Sequence, residues 1–356
     1  MRAFLCAIAL VFWFSPASAQ KANVIEANQK SVALIEEGRF AEGAPLARSA
    51  ESDYSSFFHG LYYSPEDHVL LIETAFGATY QADGYKAAAE YLDKALQRME
   101  FRGKEKEVVM APLAAKVGQM LANLKDIDGA HKRLRQASDL ADEFWGEGDE
   151  RSIRYHLEWA FYTYSRNGRG WAMEKISAAR KIAEGYGSES YLVLLADLLR
   201  STLNMEGTIY PAEIAAHYEL MQRYEAHPDF EEEFFQKGYA QLAVGYHRVE
   251  NKEGLDIAMQ KLAQDYNGDK LNVKPFISVK PAYAQDDVLS SKDGFVILEF
   301  NVDELGRVSD AKVVGSQGES AFEEAALKVI GDWRYRPQKV DGKARPIQGV
   351  QARIRF

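Results

Sequence analysis

Turn signals recur along the first three quarters of the chain at a nearly constant interval, and that interval is the tightest constraint on how it can fold. They fall at Gly38-Arg39, Asp83-Gly84, Asp128-Gly129, Asn167-Gly168, Glu206-Gly207 and near Asn251, 39 to 46 residues apart. Between them, residues 23–266 carry apolar side chains at three- and four-residue spacing, the period of a helix with one buried face. A helix–turn–helix unit of this length cannot bury its apolar face alone, so about six hairpins are expected to stack on one another. Within a unit the first helix carries bulky residues and the second small ones: Ile72, Phe76 and Tyr80 precede Ala87, Ala88, Tyr91, Ala95 and Leu96. Residues 117–124 and 130–141, 157–164 and 172–183, and 235–249 and 255–262 read as similar pairs. Alanines on the second helix let the two backbones approach closely.

This stretch resembles the tetratricopeptide repeat class, although its period exceeds the usual 34 or so residues. The pair at 191–203 and 214–224 departs most, because Pro211 stands between its helices and opens the second as an N1 proline does. Stacked hairpins leave a curved inner surface of the sort that binds peptides and proteins. Tyr54, Tyr62, Tyr63, Tyr155, Tyr162 and Tyr239 fall at helical spacing, a pattern that fits core packing before it fits the lining of that surface.

The N-terminus decides the compartment. Met1-Arg2 is a short positive start, residues 3–14 are an unbroken apolar run, and Pro16 precedes Ala17-Ser18-Ala19. Twelve apolar residues fall short of the roughly 20 that span a bilayer, and small residues at Ala17 and Ala19 suit signal peptidase, so residues 1–19 read as a signal peptide cleaved before Gln20. The alternative is an uncleaved inner-membrane anchor. Cleavage also removes Cys6, the single cysteine, which leaves no disulfide, no four-cysteine zinc site and no CxxC motif. The mature protein is then expected in the periplasm.

After residue 269 the helical period stops. Residues 270–287 hold Pro275 and Pro281 among polar residues and read as a linker between a repeat domain at 20–269 and a small C-terminal domain at 288–356. In the latter, Val296, Leu298, Phe300 and Val302 alternate with Ile297, Glu299 and Asn301, and a turn at 303–306 leads to a second strand at 307–315. Phe322, Ala325, Ala326, Val329, Ile330 and Trp333 follow helical spacing, opened by Ser320 with Glu323 three residues on, a capping-box arrangement. Val350, Ala352, Ile354 and Phe356 alternate with Gln351, Arg353 and Arg355 in a last strand. The expected architecture is a mainly α helical-hairpin solenoid followed by a small α+β domain, a ββαβ antiparallel sheet with one helix.

Several motifs of this segment stand in a particular order. They are Pro281-Ala282-Tyr283-Ala284, Gly294, the turn ending at Gly306, Phe322-Glu323-Glu324-Ala325-Ala326-Leu327, Trp333-Arg334-Tyr335-Arg336-Pro337, Asp341-Gly342-Lys343 and Arg353-Ile354-Arg355-Phe356. Together they resemble the TonB C-terminal domain family over about 75 residues. Ala284 stands where the family usually has proline, and neither an uncleaved membrane helix nor a long Pro-rich spacer accompanies the domain. The resemblance implies recognition by strand addition, a partner peptide pairing along the last strand, from Gln348 and Gly349 through Val350, Gln351, Ala352, Arg353 and Ile354 to Arg355 and Phe356. It also makes Tyr283, Gly294, Gly306, Ala326, Trp333, Tyr335, Pro337 and Gly342 framework residues. Strand addition agrees with elementary physics, since a terminal strand at a sheet edge exposes unpaired N–H and C=O groups.

Charge and motif searches narrow the rest. Forty-three Lys and Arg against 53 Asp and Glu, a net charge of -10, exclude a general nucleic acid binder, yet residues 328–356 carry eight Lys or Arg and two Asp or Glu. Seven histidines at 59, 68, 131, 156, 217, 227 and 247 are scattered singly, each read as a helix-surface residue, with no HExxH. Residues 146–149 lack the strand and third glycine of a phosphate loop, and Asp126 lacks the glutamate that a calcium loop has at its twelfth position. No catalytic residue, cofactor, metal or small-molecule substrate is indicated. The expected partner is a protein of the envelope, an outer-membrane receptor or transporter, with peptidoglycan as the alternative and a link to transmembrane transport. Two other readings are a membrane-anchored transducer with an uncut signal and, least supported, an envelope hydrolase using the repeat groove.

Overall fold

The computed structural model describes residues 16–57, 64–101, 109–207, 209–265, 274–281, 294–318, 320–340 and 342–356. Residues 1–15, which include Cys6 and most of the expected signal peptide, lie outside them, as do His59, Tyr62, Tyr63, Tyr283 and Asp341. Packing divides the chain into two compact units, Met1–Leu192 and Val193–Phe356.

Helices pair as the turn spacing predicts. In the first unit α1 (Pro16–Glu36) and α2 (Phe40–Phe57) join at Gly38, while α3 (Pro65–Phe101) is two arms broken at Gly84. Both glycines have positive φ, 76° and 85°, a conformation that other residues reach only with strain. Next come α4 (Met110–Asn123) with α5 (Ile127–Trp145), then α6 (Glu150–Tyr162) and the short α7 (Tyr164–Asn167) with α8 (Arg169–Ala183). The second unit opens with α9 (Tyr191–Asn204) and α10 (Pro211–Glu225), whose N1 residue is Pro211, followed by α11 (Glu232–Arg248) and α12 (Lys252–Lys261). Six hairpins result among the described residues.

One turn is displaced from its expected place at Asp128-Gly129. The chain turns at 124–126 instead, and both residues lie in the first turn of α5, where Asp126 accepts a hydrogen bond from the Gly129 N–H at 3.0 Å. A Cβ on Gly129 would come within 2.5 Å of that carboxylate, so this glycine serves the cap and not the break. The small-residue pattern has the expected effect. Ala88, Ala89, Ala95, Ala130, Ala137, Ala141, Ala172, Ala179 and Ala183 are buried on second helices, and a Cβ on Gly118 of α4 would meet Leu134 of α5 at 2.5 Å.

The C-terminal strands are β2 (Pro275–Ile277), β3 (Phe295–Val302), β4 (Val308–Gln317), β5 (Arg334–Tyr335), β6 (Gln338–Val340), β7 (Lys343–Arg345) and β8 (Ile347–Arg355), with α13 (Ser320–Ile330) between β4 and β5. The main sheet is antiparallel in the order β4-β3-β8. Period-two alternation sends Val296, Leu298, Phe300, Val302, Val350 and Ile354 to one face, where Phe322, Ala326, Val329 and Ile330 of α13 cover them. Ser320 is the first residue of that helix, and the Glu323 carboxylate accepts the Ser316 hydroxyl of β4, so the expected capping box is replaced by a tie to the sheet.

Part of the stretch read as a linker is ordered sheet, since β2 pairs with β5 and the Val279 carbonyl accepts the Trp333 indole N–H at 2.9 Å. A two-residue strand β1 (Gln264–Asp265), directly after α12, pairs in parallel with β6, and Arg307 in the β3–β4 turn is ion-paired with Asp256 of α12. These contacts hold the last hairpin and the sheet in one packing unit.

Candidate partner-binding edge

The last strand has β3 on one side and no strand on the other among the described residues. Which of its backbone groups face outward follows from the register. Gly294 and Phe356 exchange hydrogen bonds, Phe356 N–H to Gly294 O at 2.9 Å and Gly294 N–H to Phe356 O at 3.5 Å. Partners from there are Phe295 with Arg355, Val296 with Ile354, Ile297 with Arg353, Leu298 with Ala352, Glu299 with Gln351 and Phe300 with Val350. In an antiparallel ladder bonded and non-bonded pairs alternate, so Ile354, Ala352 and Val350 bond to β3, whereas Gln351, Arg353 and Arg355 turn N–H and C=O away from it. Three consecutive outward positions therefore present both backbone donor and acceptor.

The regular edge is shorter than 348–356. The register shifts opposite residues 300–302, Gly349 adopts φ 71°, and its N–H donates to the Asn301 side chain at 3.2 Å. Gln348 and Gly349 thus belong to a bulge, and the even ladder runs from Val350 to Phe356. The opposite edge of the sheet is less even. The β3–β4 register shifts twice, and Asp310 of β4 takes φ 53°. Bulges of this sort spoil pairing with another chain.

Side chains along β8 are sorted by the pleat. Gln351, Arg353 and Arg355 are exposed, while Val350 and Ile354 are buried and Ala352 and Phe356 half-buried. Gln351 donates to Glu299 at 3.2 Å, and Lys312 of β4 pairs with the same carboxylate at 2.7 Å. The Lys312 hydrogen bond, followed by that of Gln351, holds the Glu299 carboxyl below the usual carboxylate range. Arg353 lies with its guanidinium carbon 3.7 Å from the Phe295 ring centroid, a cation–π contact that keeps it over the sheet. Phe356 stacks on Phe322 with ring centroids 4.6 Å apart.

The framework residues explain why the edge is held firmly. Gly294 abuts Phe322 and Gly306 abuts the Tyr335 carbonyl, where added Cβ atoms would sit 2.3 and 1.8 Å away, and Gly306 accepts the Tyr335 N–H at 2.8 Å. Ala326, Trp333 and Tyr335 are buried, Pro337 flanks Gly306, and Gly342 takes φ 73° in the β6–β7 turn. Burial raises the Tyr335 hydroxyl well above its usual range.

In the hairpins, Tyr54, Tyr162 and Tyr239 are buried and Tyr155 is half-buried, so these rings serve packing. Burial pushes Tyr54 and Tyr155 up to about 12. Two histidines expected at the surface are inside. His68 donates to Glu51 at 2.8 Å, both side chains fully buried, and Tyr91 and Arg98 donate to the same carboxylate. His217 bridges Ser201 at 2.8 Å and the Gly238 carbonyl at 3.2 Å, which fixes the ring proton on Nε2, and burial lowers it to about 4. Hydrogen-bonded polar partners make their burial possible. Glu51 stands 17 to 47 positions from His68, Tyr91 and Arg98, so no local pattern could have joined them. No group of three or more metal-ligating side chains occurs among the described residues, nor is any described helix long and apolar enough to cross a membrane.

No curated protein matches the chain. Among solved structures it is similar to BtubC (BKLC) from P. vanneervenii, with 13% identity over 69% of this chain and 89% of that one and a TM-score of 0.36. The segment that builds the sheet and its open strand, residues 279–356, matches the family described as Gram-negative bacterial TonB protein C-terminal.

Proposed function

We propose that the protein works in the bacterial envelope as a TonB-like interaction protein linked to transport, taking up an extended segment of an outer-membrane receptor or transporter alongside β8. The observation that carries this reading is the even ladder at 350–356, whose outward N–H and C=O groups at Gln351, Arg353 and Arg355 have no strand partner among the described residues. The family match over 279–356 supports it independently. Each ladder bond contributes roughly 0.5–1.5 kcal/mol net, and a partner strand adds several at once without a special side chain. The hairpins supply a second interaction surface. Export through a signal ending at Ala19 places the mature protein, beginning at Gln20, in the periplasm, and N-terminal sequencing of the processed protein checks this. Intact Met1 in the membrane fraction would instead support the anchored transducer, against which the shortness of the apolar run at 3–14 speaks.

A pair of prolines tests strand addition. Arg353→Pro removes an outward donor and should abolish partner binding while the domain stays folded. Ala352→Pro removes an inward donor to β3 and should unfold the domain, at a cost of about 3 kcal/mol or more. Amide exchange of residues 350–356, with and without a receptor fragment recovered by crosslinking, reads the outcome. Outward amides already protected in the free monomer, and unchanged by the fragment, would sink the reading.

A further inference from the structure

On the outer side of β8, the residues that turn their backbone groups outward are the same ones whose side chains stand on the exposed face. A strand added there places a side chain directly opposite each of Gln351, Arg353 and Arg355, with Cβ atoms about 4.5–5.5 Å apart, whichever way the strand runs. The three positions differ in what they can still accept. Gln351 already donates to Glu299, and that carboxylate is also held by Lys312. Arg353 is steadied by the Phe295 ring and Arg355 is exposed, and neither meets a carboxylate among the described residues. Elsewhere in this unit Arg307 is paired with Asp256 and Lys261 with Glu225. Two unpaired guanidiniums two residues apart therefore line an otherwise regular edge. They lie in a stretch, 328–356, that carries a net +6 in a chain of net -10.

The residue between those two positions points to the other face. There Ile354 is buried and Ala352 half-buried, so the strand is apolar on that face. A polar side chain at that point would lose water without gaining a partner.

We propose that the strand taken up at β8 carries two carboxylates two residues apart, opposite Arg353 and Arg355, with an apolar residue between them and no charge requirement opposite Gln351. This rests on the strand-addition reading and specifies its partner as an acidic, alternating segment. Guanidiniums bind carboxylates in a planar two-bond geometry, so the pairs also fix the register of a partner whose backbone alone could slip.

The test uses three labelled peptides of equal length, with Glu-Val-Glu, Gln-Val-Gln and Lys-Val-Lys centres flanked by threonines, titrated into the full mature chain by fluorescence anisotropy. At low salt the Glu peptide should bind roughly fivefold to tenfold tighter than the Gln peptide, and the Lys peptide weakest. The gap should shrink at high salt. In the R353E/R355E variant the order of Glu and Lys peptides should invert. R355Q alone, which leaves the Phe295 contact in place, should halve the gap on a logarithmic scale and guards against a folding defect in the double variant. Equal binding of all three peptides, abolished by Arg353→Pro, would overturn the acidic partner while leaving strand addition standing. If no peptide changed the amide exchange of residues 350–356, both would fall.

Discussion

The hairpins and the sheet solve the same backbone problem in opposite ways. Inside a helix each N–H finds its carbonyl four residues away, so α1–α12 spend their backbone polar groups locally and can offer a partner only side chains and helix ends. The β4-β3-β8 sheet instead leaves a row of backbone groups open at β8. Specificity in the hairpins must then reside in particular side chains, whereas at β8 it resides first in geometry and only second in charge. Packing differs likewise: α4 and α5 interlock through side chains, Gly118 against Leu134, while the sheet domain closes through a backbone contact, Gly306 against the Tyr335 carbonyl.

That last difference gives the largest expected effect. Gly306→Ala drives a Cβ into a backbone carbonyl at positive φ and should cost about 4 kcal/mol or prevent folding of the sheet domain. Gly118→Ala meets a movable leucine and should cost about 1–3 kcal/mol. Denaturant midpoints of the two variants measure the gap, and equal losses would erase the contrast between backbone and side-chain closure.

A second comparison sets the buried polar groups of the two units side by side. Glu51→Gln leaves the Arg98 guanidinium without its counter-charge and should destabilise the first unit by about 3 kcal/mol. The Glu51 carboxyl is held below its ordinary value by hydrogen bonds from His68 and Arg98 that outweigh the opposing effect of burial. A depressed carboxyl pKa adds stability above the unfolded value near 4.5, and that stability is lost as pH falls below it. His217 in the second unit acts at higher pH. Its folded value of about 4 against 6.5 unfolded means the unfolded chain binds the proton more readily, so stability falls as pH drops from 6.5 toward 4. Between pH 7 and pH 5 the second unit should lose about 2 kcal/mol, a slope that His217→Asn should flatten. Urea titrations that show parallel losses in both units across this interval would contradict the assignment.

The smallest effect concerns charge at the open strand. Arg355→Ala should weaken partner binding by roughly 0–1 kcal/mol, as exposed ion pairs do, against total loss for Arg353→Pro. A loss of several kcal/mol on titration would mean that side chains and not backbone dominate this surface, making it behave like the hairpins.

Much of this organisation was legible from local pattern. The turns at Gly38, Gly84, Gly168 and Asn251, the N1 proline of α10 and the alternation of β3 and β8 depend on residues within a few positions of one another. Dihedral preference and side-chain period are local, and they were sufficient for the order of elements and for the family resemblance that the match over 279–356 supports. Asp128-Gly129 misled because a glycine that admits an aspartate cap looks like one that ends a helix. What only the tertiary structure decided lies in pairings between distant positions. Glu51 with His68 and Arg98, β1 with β6, Asp256 with Arg307, and the Gly294–Phe356 bonds that turn Gln351, Arg353 and Arg355 outward all join segments that local periodicity treats as independent. Alternation in the sequence shows which side chains share a face of β8. Which backbone groups face its open side depends on the register against β3, and a one-residue shift would have reversed it.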